Sequence, residues 1–322
     1  FVFGHFADRR GWYKRLIIAT FFISIAAVIP LALFVHPAAS VITIALLAFA
    51  FRSTTPLLDA LTTITIGTGG NYGRIRAAGS ASYIVLVLVL QWIPVMKPDR
   101  AFNIAFWIAL TSALSIAPAF LLPAARGTAR QPKSAGKKPR RIWTAPFIMG
   151  FLMIFLSRLG ITPVYSFFSL FLVEEMNWNA VGALNALAAA SEVPCMFVSG
   201  RLIRRFGPLP LLAAAAAGIA LRMAVYAFLP FRGAIIAAQC LHSLCFGIFH
   251  PAAVAFITSS VPPEQRALGM SLYLSLGTGL PMLLGNLLGG FMLENAGYPA
   301  LFAVFIVFAL AALGIYAVIR KK

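Results

Sequence analysis

The chain has 322 residues, of which 61% are hydrophobic and 11% are charged, and its formal net charge is +18 at pH 7. A soluble domain cannot bury so much apolar surface, so the composition excludes an ordinary water-soluble fold and indicates a polytopic membrane protein. The basic excess on its own would suggest a nucleic-acid partner, but the positions of the charges, described below, argue against one.

A short basic loop opens the chain. Residues 4–15 read GHFADRRGWYKR and contain the pattern Gly-x-x-x-Asp-Arg-x-Gly. Its defined positions are Gly4, Asp8, Arg9 and Gly11. A weaker copy, GRLIRRFG at residues 200–207, keeps Gly200, Arg205 and Gly207. Both copies stand between long apolar runs, which predicts an internal repeat, the plan on which many transporters build two bundles around one central site.

Ten apolar runs of about twenty residues make up most of the chain. Each is long enough to cross the roughly 30 Å hydrocarbon core of a bilayer as a helix. We therefore predict an all-α polytopic membrane protein with ten transmembrane helices. They lie approximately at residues 16–34, 38–60, 75–93, 101–122, 146–172, 179–199, 208–229, 234–258, 267–292 and 299–319.

A segment rich in Pro, Gly, Lys and Arg separates the fourth run from the fifth. It reads PAARGTARQPKSAGKKPRRIWTA at residues 123–145 and has no apolar period, so it predicts a linker. The predicted domains are a partial N-terminal bundle of four helices at 1–122, the linker at 123–145, and a six-helix C-terminal bundle at 146–322.

Basic residues cluster on one side of the predicted membrane. Connections on that side carry twenty Lys and Arg residues, whereas those on the other side carry only Lys97, Arg100 and Arg232. Cytoplasmic loops of membrane proteins carry this excess, so both copies of the loop, the linker and the C-terminus are predicted to be cytoplasmic. We expect a lipid bilayer around the chain and no nucleic-acid partner.

The repeated loop also sets the register of the two halves. From Gly4 to Leu122 is 118 residues, and from Gly200 to Arg320 is 120 residues, with four predicted spans in each stretch. Two further spans precede Gly200, but almost nothing precedes Gly4. The symmetry predicts a six-plus-six arrangement from which two N-terminal helices have been lost.

The loop at residues 4–15 resembles the signature G-x-x-x-D-R-x-G-R-R of the major facilitator superfamily, found between its second and third helices. Trp12 and Tyr13 depart from the basic pair, and Arg204 stands where the second copy would need an acid. The resemblance implies the major facilitator fold, with helices 3 to 12 present. It also implies that both loops act as cytoplasmic gates, with the acid of the first holding the two halves together.

A narrower resemblance covers most of the chain. The segments FRSTTPLLDA, NYGRIRAAGSASY, YSFFSLFL, SEVPCMFVSGRLIRRFG, LHSLCFGIFHPAAVAFI and VPPEQRALGMSLY are similar to the branch that contains phenylpropionate permeases and related proton symporters. Members of that branch take up small organic solutes with protons across the bacterial inner membrane. The segments indicate lineage more than substrate.

Glu192 is the clearest candidate for proton coupling. Ionisable side chains inside a span cost roughly 2.5 to 3.5 kcal/mol at the bilayer centre, so each is a candidate functional residue. Glu192 lies eight residues before Gly200, about 12 Å inside the cytoplasmic end of its helix. A carboxyl group at that depth suits proton uptake and release. The alternative is a carboxylate locked in a structural pair with an arginine.

Three arginines lie inside apolar runs: Arg52, Arg158 and Arg222. With Glu192 as the one carboxylate of comparable depth, we expect three buried guanidiniums and an excess of positive charge. That balance favours an anionic substrate, because a guanidinium offers a planar, bidentate fork. Each arginine is about as well explained by pairing with a helix end or another residue. Asp59, on the same helix face as Arg52, is interpreted as a gating or structural residue.

His242 and His250 lie on one span, eight residues apart, which separates them by roughly 80° around an ideal helix. They are candidates for proton relay or substrate binding, and buried histidines that donate to nearby oxygens are an equal alternative. Further candidates for lining a cavity are Asn185, Gln239, Asn286, Tyr165, Phe167, Phe168 and Phe171. Interhelical hydrogen bonds and packing explain these as well. We predict no metal site, since the three cysteines have no clustered ligands nearby.

These observations favour a secondary active transporter, a proton symporter that imports a small organic anion, such as an aromatic carboxylate, or a neutral metabolite. We expect a monomer without cofactors in the bacterial inner (plasma) membrane. A drug or metabolite efflux antiporter of the same superfamily is the nearest alternative, and an inactive truncated relic is another. An intramembrane enzyme is disfavoured, because the sequence has no HExxH motif and no nucleophile elbow.

Overall fold

The computed structural model describes residues 7, 10–33, 36–66, 72–92, 101–124, 143–262 and 266–321, without the side chains of residues 59, 63–64, 66, 72–77 and 266–267. Every regular element in these ranges is helical, which confirms the predicted all-α class. Eight helices in the described part of the chain are long and apolar enough to cross a membrane. Ala78–Trp92 is a shorter apolar helix, and the longest of the eight, Leu268–Lys321, contains a non-helical residue at Gly297. The count of ten spans stays a prediction.

In chain order the helices are α1 (Tyr13–Ala27), α2 (Ile29–Leu33), α3 (Pro37–Ile66), α4 (Tyr72–Trp92), α5 (Ala101–Leu121), α6 (Ala145–Ser166), α7 (Phe168–Leu170), α8 (Val181–Phe206), α9 (Pro208–Phe228), α10 (Arg232–Cys240), α11 (Phe249–Ser260), α12 (Arg266–Leu274) and α13 (Leu280–Lys321). Three π-helical turns lie at Phe171–Glu175, Ser243–Ile248 and Ser275–Gly279. A π turn contains one residue more than an α turn and so changes the register of the side chains that follow it.

The chain divides into two compact units, of which the first comprises residues 1–75 and 93–138. Its described helices pack through a small apolar cluster that includes Tyr13 and Ile17 of α1 and Leu57 and Leu61 of α3. Between the same two helices, Thr43 Oγ1 donates to the carbonyl oxygen of Ala27 at 2.8 Å. A hydroxyl that bonds a neighbouring helix stabilises packing where apolar contact alone gives little preference.

The second unit comprises residues 76–92 and 139–322. It has two apolar clusters, one containing Phe171 and Phe302 and the other containing Phe147 and Phe249. Within this unit α4 is attached to α8 through Gln91. Its Oε1 accepts from the N–H of Gly182 at 2.7 Å, and its Nε2 donates to the carbonyl oxygen of Asn179 at 2.9 Å.

Local sequence signals explain where the helices of the second unit begin and end. Thr144 caps α6 by accepting from the N–H of Phe147 at 3.4 Å, and a proline follows in the first turn. Gly207 ends α8 at a φ of 79°, and Pro208 begins α9. These boundaries place Glu192 near the middle of α8.

Candidate functional site

Charged and polar side chains are buried among the apolar helices of the second unit. They lie on α6, α8, α9 and α10 and are Arg158, Glu192, Arg222 and Gln239. A buried charge is costly unless it is paired and hydrogen-bonded, and within a span it marks a functional site by default. Their surroundings therefore show what each one can do.

Arg222 is 1% exposed and is held by neutral acceptors. Its Nε donates to the hydroxyl of Tyr226 at 2.8 Å, and its Nη2 donates to Oε1 of Gln239. The amide of Gln239 donates in turn to the same hydroxyl at 3.2 Å. The third guanidinium nitrogen, Nη1, lies 3.0 Å from Nδ1 of His242. All three nitrogens of Arg222 therefore have a partner within the protein.

The contact with Arg222 fixes the tautomer of His242. A guanidinium can only donate hydrogen bonds, so Nδ1 of His242 must accept and carries no hydrogen. The ring hydrogen then lies on Nε2, which is 3.5 Å from Oε2 of Glu192. We call these three residues the relay chain, because they connect a carboxylate to a guanidinium through a neutral imidazole. The predicted alternative for Glu192, a structural pair with an arginine, stays a prediction.

The π turn at Ser243–Ile248 brings helix backbones close to the relay chain. A Cβ atom at Gly247 would lie 3.1 Å from the carbonyl oxygen of Glu192 and 3.2 Å from its Cβ. A Cβ atom at Gly218, on α9, would lie 3.3 Å from the Cβ of Leu244. Such distances are tight for any side chain larger than hydrogen, so glycine lets the π turn approach α8 and α9. Gly247 therefore sets the spacing between α8, which carries Glu192, and the span that carries His242.

His242, Phe246 and His250 form a stacked column on this span. The centroids of His242 and Phe246 are 5.7 Å apart with an interplanar angle of 3°, and those of Phe246 and His250 are 5.8 Å apart at 9°. The predicted separation of roughly 80° between the histidines assumed an ideal α-helix and is wrong. The wider π turn aligns positions i, i+4 and i+8 instead. At the far end, Nδ1 of His250 lies 2.9 Å from the hydroxyl of Tyr273.

Arg158, on α6, is 6% exposed and is surrounded by aromatic side chains. Its guanidinium carbon lies over the rings of Phe249 at 4.7 Å and Phe246 at 5.7 Å. The side chains of Tyr165 and Tyr273 also interact with it. Its Nε has no hydrogen-bond partner among the described residues. Arg158 is thus held by two phenylalanine rings and two tyrosine side chains, and its Nε is left without a partner.

The remaining predicted charged residues belong to the first unit. Arg52 is on α3 of the first unit and its side chain is exposed, so the expectation of a third buried guanidinium is wrong. An arginine inside an apolar run still exposes its head group where the helix surface is not covered by packing. The side chain of Asp59 lies outside the described residues.

The closing glycines of the two basic loops have the same local structure. Gly11 and Gly207 have φ values of 67° and 79°. Each donates its N–H to the carbonyl oxygen of the residue four positions earlier, Ala7 at 2.8 Å and Ile203 at 2.9 Å. This is the geometry with which glycine ends a helix. The two closing glycines therefore share this backbone feature, and the internal repeat stays a prediction.

The other positions of the predicted gate are less informative. Gly4, Asp8 and Arg9 lie outside the described residues. Gly200 lies within α8, and Arg205 is exposed near the end of that helix, with its guanidinium over the Phe206 ring at 5.1 Å. The gating role of both loops stays a prediction.

The uncharged candidates divide into packing and polar residues. Phe168 and Phe171 are each 1% exposed and pack on the ring of Tyr226, with centroids 5.1 and 6.1 Å away. They therefore hold in place the tyrosine whose hydroxyl accepts from Arg222. Asn286 accepts from the hydroxyl of Ser166 at 2.6 Å, an interhelical hydrogen bond. Asn185 and Phe167 are half-buried.

Sequence reasoning missed Tyr226, Phe246 and Tyr273. Tyr226 follows Arg222 by four residues, a spacing that places both on one helix face and could have identified it. Phe246 lies midway between the two histidines but becomes significant only through the π turn. Tyr273 comes from another helix and leaves no local signal. No group of three metal-ligating side chains occurs in the part of the chain that was described.

The chain is similar to known transporters in both sequence and structure. A family model described as MFS_1 like family matches residues 1–304. The chain is 28% identical over 273 residues to the maltose permease of Geobacillus stearothermophilus, covering 83% of this chain and 68% of the permease. The structure is similar to nucleoside transporter NupG, with a TM-score of 0.77, 18% identity, and coverage of 99% of this chain and 86% of NupG. It is also similar to the E. coli fucose:proton symporter FucP, with a TM-score of 0.56, 17% identity, and coverage of 99% and 86%.

Proposed function

The chain belongs to the MFS_1 like family of transporters, and from this premise we propose that it is a secondary active transporter that imports a small organic solute together with protons. The predicted superfamily and the predicted major facilitator fold are confirmed. The narrower resemblance to phenylpropionate permeases stays a prediction. Proton coupling, direction and solute are the parts that we propose.

The relay chain is the observation that carries the proposal. Glu192 is 8% exposed near the middle of a span, where a carboxylate costs more free energy to bury than a neutral carboxyl group does. When Glu192 is ionised, its charge balances Arg222 through the imidazole of His242. When it binds a proton, that balance is removed. Protonation therefore changes the electrostatic field at the buried arginines, which is the linkage that a symporter requires.

The similar proteins support the class but do not name the solute. Their names describe a permease for maltose, a transporter for nucleosides and a symporter of fucose with protons. The last name gives proton coupling for a protein with this fold. From the excess of basic residues on one side of the membrane, we propose that the linker and C-terminus lie in the cytoplasm. The monomeric state and the bacterial inner membrane stay predictions.

Uptake into proteoliposomes under an imposed pH gradient tests this function. We expect accumulation of a labelled solute when the outside is acidic, and its collapse when a protonophore dissipates the gradient. The solutes to screen first are those that raise the thermal unfolding temperature of the purified protein, because a ligand that binds only the folded state stabilises it. Gradient-driven expulsion of the solute would instead establish an antiporter, and accumulation unaffected by the protonophore would contradict proton coupling.

A further inference from the structure

We propose that Arg158 binds the anionic group of the transported solute, that this solute is a small organic carboxylate, and that Arg222 does not contact it. This proposal rests on the proposed transport function and assigns different roles to the two buried arginines. It follows from which donors are already used, from how each guanidinium is held, and from the balance of buried charge.

Unused hydrogen-bonding capacity distinguishes Arg158. Among the described residues, three buried side-chain nitrogen or oxygen atoms have no partner, namely Ser157 Oγ, Arg158 Nε and Thr278 Oγ1. Two of them are neighbours on α6, and Arg158 contributes the one that belongs to a charged group. A buried donor without an acceptor is unfavourable, and an ionised donor more so. An oxyanion from outside the chain would satisfy it.

The two phenylalanine rings leave the N–H edge of the Arg158 guanidinium available to a ligand. Phe249, at 4.7 Å, and Phe246, at 5.7 Å, interact with the flat face of Arg158. The N–H groups lie in the plane of the guanidinium and point outward from its edge, so stacking does not occupy them. A carboxylate matches that edge, because its two oxygens accept parallel hydrogen bonds.

Arg222 differs, since each of its three guanidinium nitrogens already has a partner within the protein. The balance of buried charges also favours an anion at Arg158. Among the described buried side chains of the second unit, Arg158 and Arg222 contribute two positive charges and Glu192 contributes one negative charge. One positive charge is left over, so a monoanion at Arg158 balances the site while Glu192 is ionised.

Ligand binding to the purified protein tests the assignment without any transport step. The probes are acetate, butyrate and benzoate, each beside its neutral amide, with affinity measured from thermal stabilisation and calorimetry. We expect at least one carboxylate to stabilise the protein while its amide does not. Arg158→Gln should weaken that carboxylate by about tenfold or more, and Arg158→Lys, which keeps the charge but loses the fork, by less. Arg201→Gln, a change of the same charge at an exposed residue of α8, should leave binding unchanged.

Several results would overturn the assignment. One is that the amides bind as tightly as the carboxylates, and another is that no carboxylate binds. A third is that Arg158→Gln keeps an unchanged preference for the carboxylate over its amide. If Arg158→Gln does not give a monodisperse protein, Arg158→Lys decides the matter by the same comparison. Carboxylate binding that depends on Arg158 in a protein without gradient-driven uptake would reject the transport function and leave this assignment standing.

Discussion

Arg158 and Arg222 are buried in the same unit, yet their surroundings differ. Arg222 donates to a hydroxyl and a side-chain amide, contacts an imidazole, and has a carboxylate one residue further along the relay chain. Arg158 lies on aromatic rings and keeps its Nε unpaired. The difference shows that burial alone does not identify a ligand-binding arginine. An arginine whose nitrogens all have partners is part of the protein's own network, whereas one with an unpartnered nitrogen can receive a partner.

The largest expected effect is on stability, and it separates the two arginines directly. Arg222→Gln removes the hydrogen bonds to Tyr226, Gln239 and His242, and each buried group left unpaired costs about 1–3 kcal/mol. Arg158→Gln loses cation–π contacts worth about 0.5–2 kcal/mol and removes an unbalanced charge. Thermal unfolding of the purified variants should therefore show a much larger fall for Arg222→Gln. Equal losses would show that Arg158 is part of an internal network as well.

The second prediction concerns the spacing of the relay chain. Gly247→Ala places a methyl group about 3 Å from the backbone and Cβ of Glu192, and overpacking of this kind costs typically about 1–3 kcal/mol. We expect lower thermal stability and a loss of gradient-driven uptake, because α8 has to shift Glu192 relative to His242. Gly290→Ala is the matched control, since no atom lies within 4 Å of the added methyl group. A variant at residue 247 that behaves like this control would show that Gly247 does not position Glu192.

The smallest expected effect comes from a substitution that makes the surroundings of Arg222 more like those of Arg158. Tyr226→Phe removes the hydroxyl that accepts from Nε of Arg222, which leaves that nitrogen unpaired, as Nε of Arg158 already is. The loss in unfolding free energy should be about 1 kcal/mol or somewhat more. Tyr316→Phe, at a half-buried tyrosine for which the described residues supply no hydrogen bond, should change it by less. The reverse order would mean that the hydroxyl of Tyr226 contributes little to holding Arg222.

The sequence predicted the elements well because crossing a bilayer imposes a length on every span. It also found Glu192 and Arg222, since charge inside an apolar run is visible without a structure. It could not assign their partners, which depend on how each helix is rotated about its axis. The π turn at Ser243–Ile248 illustrates this limit, because it aligns His242 with His250 although their spacing predicts different faces. Arg52 illustrates a second limit, since its side chain is exposed although it lies inside an apolar run of the sequence.

Uptake by Glu192→Gln compared with the unmodified protein tests the central claim most directly. In proteoliposomes, with a solute identified by thermal stabilisation, the account predicts that Glu192→Gln loses accumulation driven by an imposed pH gradient but still exchanges labelled for unlabelled solute. Glutamine keeps the size of the side chain and cannot release a proton, so exchange controls for folding and binding. Accumulation at the unmodified level by Glu192→Gln would contradict the account.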